Sequence, residues 1–192
     1  MIAIIKYNGG NTRSVQHALQ RLGCACCVTD DPEMISKAEK VIFPGVGEAG
    51  AAMNYLSEKN IHTLIPALQQ PVLGICLGLQ LMCASSEESN TVGMGIFNVA
   101  VKRFPHHAIV PHTGWNNAVA LHGPLFDHIS PEDDFYYVHS YYAETGPHTT
   151  AVCEYVLPFS AALQKNNFYA TQFHPERSAA AGERVLQNFL SL

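Results

Sequence analysis

Cys76 stands in "GICLG", with Gly74 two places before it and Gly78 two places after it, where an apolar run turns from strand-like to helix-like. A sharp strand-to-helix turn lifts one side chain out of a sheet, and flanking glycines relieve the crowding; the serine elbow G-x-S-x-G uses the same mechanics. A cysteine placed there sits at a helix N-terminus, where unpaired amides and the helix dipole stabilise a thiolate. Such a nucleophile needs a base, and the best candidate is His174 in "TQFHPERS". Pro175 holds His174 in extended backbone, and positions i and i+2 of an extended segment share a face. His174 and Glu176 are therefore expected to approach Cys76 together, the imidazole moving a proton and the carboxylate orienting it. None of the other histidines, of ten in all, is followed so closely by a carboxylate at the end of an apolar β run. Taken singly, Cys76 reads equally well as a core cysteine and "HPE" as a surface loop with an ion pair; together the two motifs favour catalysis.

The elements that must position these groups alternate in the first half. "MIAIIKY" reads as a buried strand, "NGGN" as a turn, and "RSVQHALQRL" as a helix with Val15, Ala18, Leu19 and Leu22 on one face and Gly23 past its end. "CACCVT" and "KVIFPG" read as further buried strands and "GAAMNYLSEKN" as a helix. "PVLGIC" is then the next strand, with "LGLQLMCASS" as its helix. This alternation predicts an α/β fold with a mostly parallel central sheet and flanking helices. From about Met94 to His174 the chain is β-rich, in "GIFNVAVKRF", "DFYYVHSYYAE", "AVCEYV" and "FYATQFH", before "AGERVLQNFLSL" closes it as a helix. With 192 residues and no linker or repeat, residues 1–192 are expected to form one domain.

Composition narrows the function. A net charge of −5 gives no basic footprint for nucleic acid, and no apolar run reaches the length of a membrane span, so neither partner is expected. The start "MIAIIKYNGGN" is too short and lacks the basic region of a signal peptide, which points to the cytoplasm. Cys24, Cys26 and Cys27 in "GCACCV" lack zinc-ligand spacing and are read as small apolar residues lining a strand. His106, His107 and His112 are read as a loop cluster of solvated or hydrogen-bonded histidines. No metal and no cofactor are expected.

The elbow "GICLG", the distant "FHPE" and the chain order Cys, His, Glu resemble the class I triad glutamine amidotransferases, which release ammonia from glutamine through a glutamyl thioester. "GNTRSV", "PGVGEAGAAM", "PHTGWN", "YYVHSYY" and "TQFHPERS" are together similar to the glutaminase subunits of imidazole glycerol phosphate synthases, of histidine biosynthesis, across nearly the whole chain. That resemblance implies glutamine hydrolysis coupled to a separate (β/α)8-barrel cyclase subunit. Ammonia passes through the barrel to a phosphoribulosyl substrate, giving imidazole glycerol phosphate and an aminoimidazole carboxamide ribotide. It implies Cys76, His174 and Glu176 as the triad and Gly45, Val46 and Gly47 as an oxyanion strand, with Val46 or Gly47 supplying a donor after a rearrangement. The Leu77 amide, at the helix start, is the other expected oxyanion donor. Gln80, one helical turn from Cys76, is similar to the family's glutamine-contacting residue, and His139, Ser140 and Tyr141 match the segment holding the amino-acid end of the substrate. Asn11, Pro111, Trp115, Tyr136 and Arg177 fall to the partner face, Tyr136 beside the ammonia exit.

The chain departs from the family pattern at Lys6 and Asn8 in the first loop, at Thr113 in "PHTGWN", and at Arg177 in place of a lysine. These touch the interface rather than the triad, and arginine does not reproduce lysine's geometry. Two other readings remain open: a glutaminase of another synthase or an unrelated cysteine hydrolase, against which "PHTGWN" and "YYVHSYY" count, and a catalytically silent binding subunit, against which the intact triad counts.

Overall fold

A computed structural model describes residues 1–192. In chain order the first half comprises β1 (Ile2–Ile5), α1 (Thr12–Arg21), β2 (Cys26–Thr29), α2 (Pro32–Lys37), β3 (Lys40–Phe43), α3 (Ala49–Glu58), α4 (Ile61–Ala67), β4 (Val72–Ile75), α5 (Leu77–Met82), β5 (Cys83–Ser86) and β6 (Thr91–Val92). The second half comprises β7 (Phe97–Arg103), β8 (His112–Asn117), β9 (Asp134–His139), β10 (Tyr141–Ala143), β11 (Thr149–Tyr155), β12 (Leu157–Lys165), β13 (Phe168–Thr171) and α6 (Ala179–Leu190).

The main sheet has seven strands in the order β11-β12-β13-β4-β3-β1-β2. It is parallel from β13 to β2, with β11 and β12 added antiparallel at one edge. Its parallel strands are apolar on both faces, as parallel strands covered by helices must be. In β1, Ile2 and Ile4 belong to one core cluster and Ala3 and Ile5 to the other; in β3, Ile42 separates from Val41 and Phe43 in the same way. Helices α1 and α6 cover the first face through Val15, Leu19, Val185 and Phe189. Helices α2 to α5 cover the second through Ile35, Leu56, Ile65 and Leu79. A four-stranded sheet, β10-β7-β5-β6, and the ribbon β8-β9 complete the β-rich half.

The expected α/β architecture is therefore present, with local differences, among them α2 and α4, which lie in stretches to which the sequence pattern assigns no element. The helix expected to run through "LGLQLMCASS" stops at Met82, and Cys83–Ser86 pairs instead with β6 and β7. Tertiary pairing overrides local propensity there. "LPFSAALQK", to which the sequence pattern assigns no element, is β12, its Ala161 and Ala162 buried between β11 and β13. No helix is long and apolar enough to cross a membrane.

The glycines of the elbow are required by close approach. A Cβ on Gly78 would lie 1.9 Å from the Phe43 carbonyl oxygen, and one on Gly74 would lie 2.5 Å from Met82 Sδ and 3.1 Å from Gly78 C. The first conflict is with backbone, so β3 and α5 would have to separate. Gly78→Ala should destabilise the fold by roughly 3 kcal/mol. Urea unfolding checks this, and an unchanged midpoint would contradict the packing described.

Candidate functional site

Four neighbouring parallel strands deliver the site. β1 leads to Tyr7 and Asn11, β3 to Pro44–Gly47, β4 to Cys76, and β13 to Gln172 and His174, all at the carboxyl ends of the strands, where open α/β sheets bind ligands. Cys76 has φ 54° and ψ −105° and immediately precedes α5. A non-glycine residue rarely holds this conformation, which costs about 1–3 kcal/mol and is tolerated at functional turns. It is held from both sides: the Cys76 amide donates to the Thr171 carbonyl at 2.7 Å, and the Cys76 carbonyl accepts from the Gln80 amide at 3.2 Å.

His174 is fully buried and its Nδ1 lies 2.8 Å from Glu176 Oε1, both side chains being inaccessible to solvent. Nε2 has no hydrogen-bond partner, which leaves it free to exchange a proton. Burial disfavours the imidazolium, but the Cys76 sulfur and the Glu176 carboxylate outweigh it and push the His174 pKa up to about 10. Asn11 is a surprise: its Nδ2 donates to Glu176 Oε1 and lies 3.4 Å from His174 Nδ1. Expected on the partner face, it also braces the carboxylate from the N-cap of α1.

Cys76 opens into a cavity of about 260 Å³ lined by Val46, Gly47, Leu77, Gln80, Glu88, Pro111, Val138, His139, Ser140 and Tyr141. That volume is below the roughly 300–1,000 Å³ of drug-sized pockets and suits a single amino acid. Of the expected oxyanion and substrate residues only Gly45 does not line it. Gly45 packs beneath, where a Cβ would meet the Tyr7 hydroxyl at 1.7 Å. The Leu77 amide, expected as an oxyanion donor, here donates to the Gly45 carbonyl at 3.3 Å, and the Gly10 amide donates to the Val46 carbonyl at 3.2 Å. Gly47 has φ 129°, a conformation open to glycine.

Glu88 carries no signal of its position in the sequence pattern. It follows β5 on a single 3-10 turn, accepts from the Ala49 amide at 2.8 Å, and is the only carboxylate lining the cavity. Burial, with Glu48 nearby, raises its pKa against the opposing Ala49 hydrogen bond. Nothing local in "SSEESN" distinguishes it from its neighbours; only the pairing of β5 brings it to the site.

His112 differs from its expected loop position. It begins β8, is buried, and stacks on Tyr155 (4.0 Å between centroids) and Tyr137 (5.1 Å). Its Nδ1 lies 3.1 Å from Nε2 of His139, its cross-strand neighbour, whose Nδ1 lies 2.7 Å from the Tyr141 carbonyl. A carbonyl accepts only, so His139 donates through Nδ1 and its Nε2 accepts from His112. Burial lowers the pKa of His112 to about 4 and that of His139 to about 3, the latter with smaller contributions from His112 and His174. Both are neutral when folded, whereas the unfolded chain protonates near 6.5. Stability from this pair is therefore present above about pH 6.5 and is lost as pH falls through about 4 toward 3. Denaturant titrations should show the loss in wild type and a shallower one in His112→Gln; a flat profile between pH 6.5 and 4 would refute the neutral pair.

A second cavity, about 540 Å³, is lined by Trp115, Pro175, Glu176, Arg177, Arg21 and Glu183 among others. Trp115 is 54% exposed and meets Tyr136 edge-on at 5.9 Å, and the Arg177 guanidinium lies 4.5 Å over the Tyr136 ring. Trp115, Tyr136 and Arg177 thus form one surface cluster, with Glu176 lining the cavity beside it. Pro111 is exposed at the rim of the smaller cavity.

The model of the family "Glutamine amidotransferase class-I" matches residues 3–192. The chain belongs to the class-I glutamine amidotransferase family. Within it, the chain is 54% identical to "Imidazole glycerol phosphate synthase subunit HisH" of Bacteroides fragilis, covering all of this chain and 99% of the relative. It is 46% identical to the protein of that name from Pasteurella multocida (98% and 96% covered) and 45% identical to that of Escherichia coli K12 (100% and 99%). Among solved structures, a putative GMP synthase protein from Thermoplasma acidophilum superposes with a TM-score of 0.76 at 19% identity, covering all of this chain and 92% of the other. PurLQS from Thermotoga maritima superposes at 0.72 and 17%, covering 99% and 97%. At those identities the likeness is one of fold, and it agrees with the amidotransferase architecture described above.

Proposed function

We propose that this chain is the glutaminase of an imidazole glycerol phosphate synthase, working as one amidotransferase domain that hydrolyses glutamine to glutamate and ammonia and hands the ammonia to a (β/α)8-barrel cyclase subunit. The observation that carries the reading is Cys76 on a strained turn at the mouth of an amino-acid-sized cavity, with the buried His174–Glu176 pair behind it. The identity to the HisH relatives over the full chain supports the assignment to this synthase rather than another.

In this mechanism the Cys76 thiolate attacks the side-chain amide carbon of glutamine. The amide oxygen becomes an oxyanion, and His174 Nε2 delivers a proton to the departing ammonia. His174 then takes a proton from water as it attacks the thioester, freeing glutamate and the thiolate. Glu176 and Asn11 hold the imidazole while it changes charge. Glu88 suits the substrate's ammonium group, and Gln80, His139, Ser140 and Tyr141 offer hydrogen bonds to its amino-acid end. The oxyanion needs donors, and the Leu77 amide is engaged by Gly45. Displacement of Gly45–Gly47 would release it and turn an amide of Val46 or Gly47 toward the substrate, which gives a partner a means of gating the reaction.

The surface cluster of Trp115, Tyr136 and Arg177 fits the docking face, since ammonia must leave beside the triad. Trp115→Ala should weaken association with the cyclase by about 2 kcal/mol, near thirtyfold in Kd, without unfolding the chain. Arg177→Ala should leave association largely intact but separate glutaminase activity from cyclase ligand. Titration with the cyclase, circular dichroism, and ammonia release with and without ligand distinguish these outcomes. All six cysteines are free, which suits a reducing cytoplasm. The function as a whole is tested by ammonia release from glutamine with the cyclase and its ligand added. Release that depends on them supports it; none under any condition overturns it.

A further inference from the structure

We propose that Gln172 is a further catalytic residue, whose side-chain amide donates to Cys76 Sγ and stabilises the attacking thiolate. This rests on Cys76 being the nucleophile. Gln172 is fully buried just past β13, and its Nε2 lies 3.6 Å from Sγ.

The direction of that hydrogen bond follows from one backbone group. The Tyr141 carbonyl can only accept, and Gln80 Nε2 lies 3.0 Å from it, so Gln80 turns its amide nitrogen inward. The same nitrogen lies 3.1 Å from Gln172 Oε1. Gln172 is thereby left with its own nitrogen facing the sulfur. Turning the Gln80 amide over would set its oxygen against two acceptors. Turning the Gln172 amide over would set nitrogen against nitrogen and an oxygen against Sγ. The carbonyl that imposes this order also accepts from His139 Nδ1 at 2.7 Å, which helps to hold it in place.

Sγ lies between two groups with opposite preferences. The Val138 carbonyl, at 3.9 Å, can accept from a thiol but repels a thiolate, whereas the Gln172 amide is satisfied best by a thiolate. The titratable groups around Sγ are His174 with Glu176 behind it, Tyr7 from the loop after β1, and, across the cavity, His139 from β9 and Glu88. Of these only His174 brings a positive charge, and its Nε2 must be free to serve the leaving group. Gln172 is a donor that need not be released for proton transfer.

The test is the pH profile of Cys76 alkylation by iodoacetamide in wild type, Gln172→Met and Gln172→Glu. The Cys76 peptide is quantified by mass spectrometry so that the half-exposed Cys24, Cys26 and Cys27 do not interfere. Losing one hydrogen bond to a charged group should move the half-maximal pH up by about one unit in Gln172→Met, and further in Gln172→Glu. In Gln172→Met, kcat for glutamine at neutral pH should fall about tenfold. Coincident alkylation profiles for wild type and Gln172→Met overturn the proposal. Should the variants not fold, the side-chain amide resonances of Gln172 in wild type decide it. They must shift as Cys76 titrates and lose that dependence in Cys76→Ala; resonances that stay fixed overturn it. A glutamine-mimicking diazo-ketone that leaves wild-type Cys76 unlabelled rejects the nucleophile reading itself, and the proposal with it.

Discussion

Replacing Cys76 with Ala should abolish glutamine hydrolysis while leaving synthesis from added ammonium intact when the cyclase is present. The two outcomes separate because, in the proposed mechanism, the sulfur forms the thioester on this chain, whereas the cyclase accepts ammonia whatever its source. Removing a triad nucleophile costs about a million-fold in kcat, so residual glutaminase activity should lie below detection. The fold should tolerate the change, since alanine removes only the sulfur from a turn shaped by Gly74, Gly78 and backbone hydrogen bonds. Loss of both activities would mean that Cys76 supports the complex rather than the chemistry.

His174→Ala should cost a comparable factor, and Glu176→Gln less, about ten-thousand-fold by analogy with the orienting acid of a hydrolytic triad. In the proposed mechanism His174 carries the proton, and its unpartnered Nε2 is the nitrogen positioned to do so. Glu176 acts through His174 Nδ1, and Asn11 shares its Oε1. Steady-state glutaminase assays with the cyclase and its ligand bound check the order. Equal activity of wild type and His174→Ala would remove the triad from the mechanism. The raised His174 pKa also has a sign for stability. This pair stabilises the fold fully below about pH 6.5 and its contribution is lost as pH rises through about 10, opposite to the effect of His112 and His139.

The parallel half of the fold was legible because strands buried on both faces leave continuous apolar runs, as in "MIAIIKY" and "KVIFPG". The turn at Cys76 and the pairing of His174 with Glu176 are legible because glycine spacing and the proline after His174 constrain backbone locally. What escaped depends on contacts between distant segments. His112 pairs with His139 only because β8 and β9 form a ribbon, and Glu88 reaches the cavity only because β5 leaves the elbow helix to join a second sheet. Gln172 reads as one more polar residue in "TQFHPE" until Gln80 and Tyr141 are placed beside it. Asn11 falls by resemblance to the partner face, and its left-handed N-cap conformation also turns the amide inward to Glu176, a contact that spacing alone does not show. Trp115, the only tryptophan, would ordinarily be sought in a core; the alternation of β8 turns it outward while His112 points in.

The most direct test of ammonia transfer from Cys76 is isotopic. The chain is mixed with its cyclase partner, the phosphoribulosyl substrate and glutamine labelled with nitrogen-15 in the side-chain amide, in the presence of excess unlabelled ammonium near neutral pH. The imidazole product is predicted to carry nitrogen-15 far above its abundance in bulk ammonia, and Cys76→Ala to give only unlabelled product. A wild-type product with the isotopic composition of the bulk ammonia would contradict channelled transfer from this site.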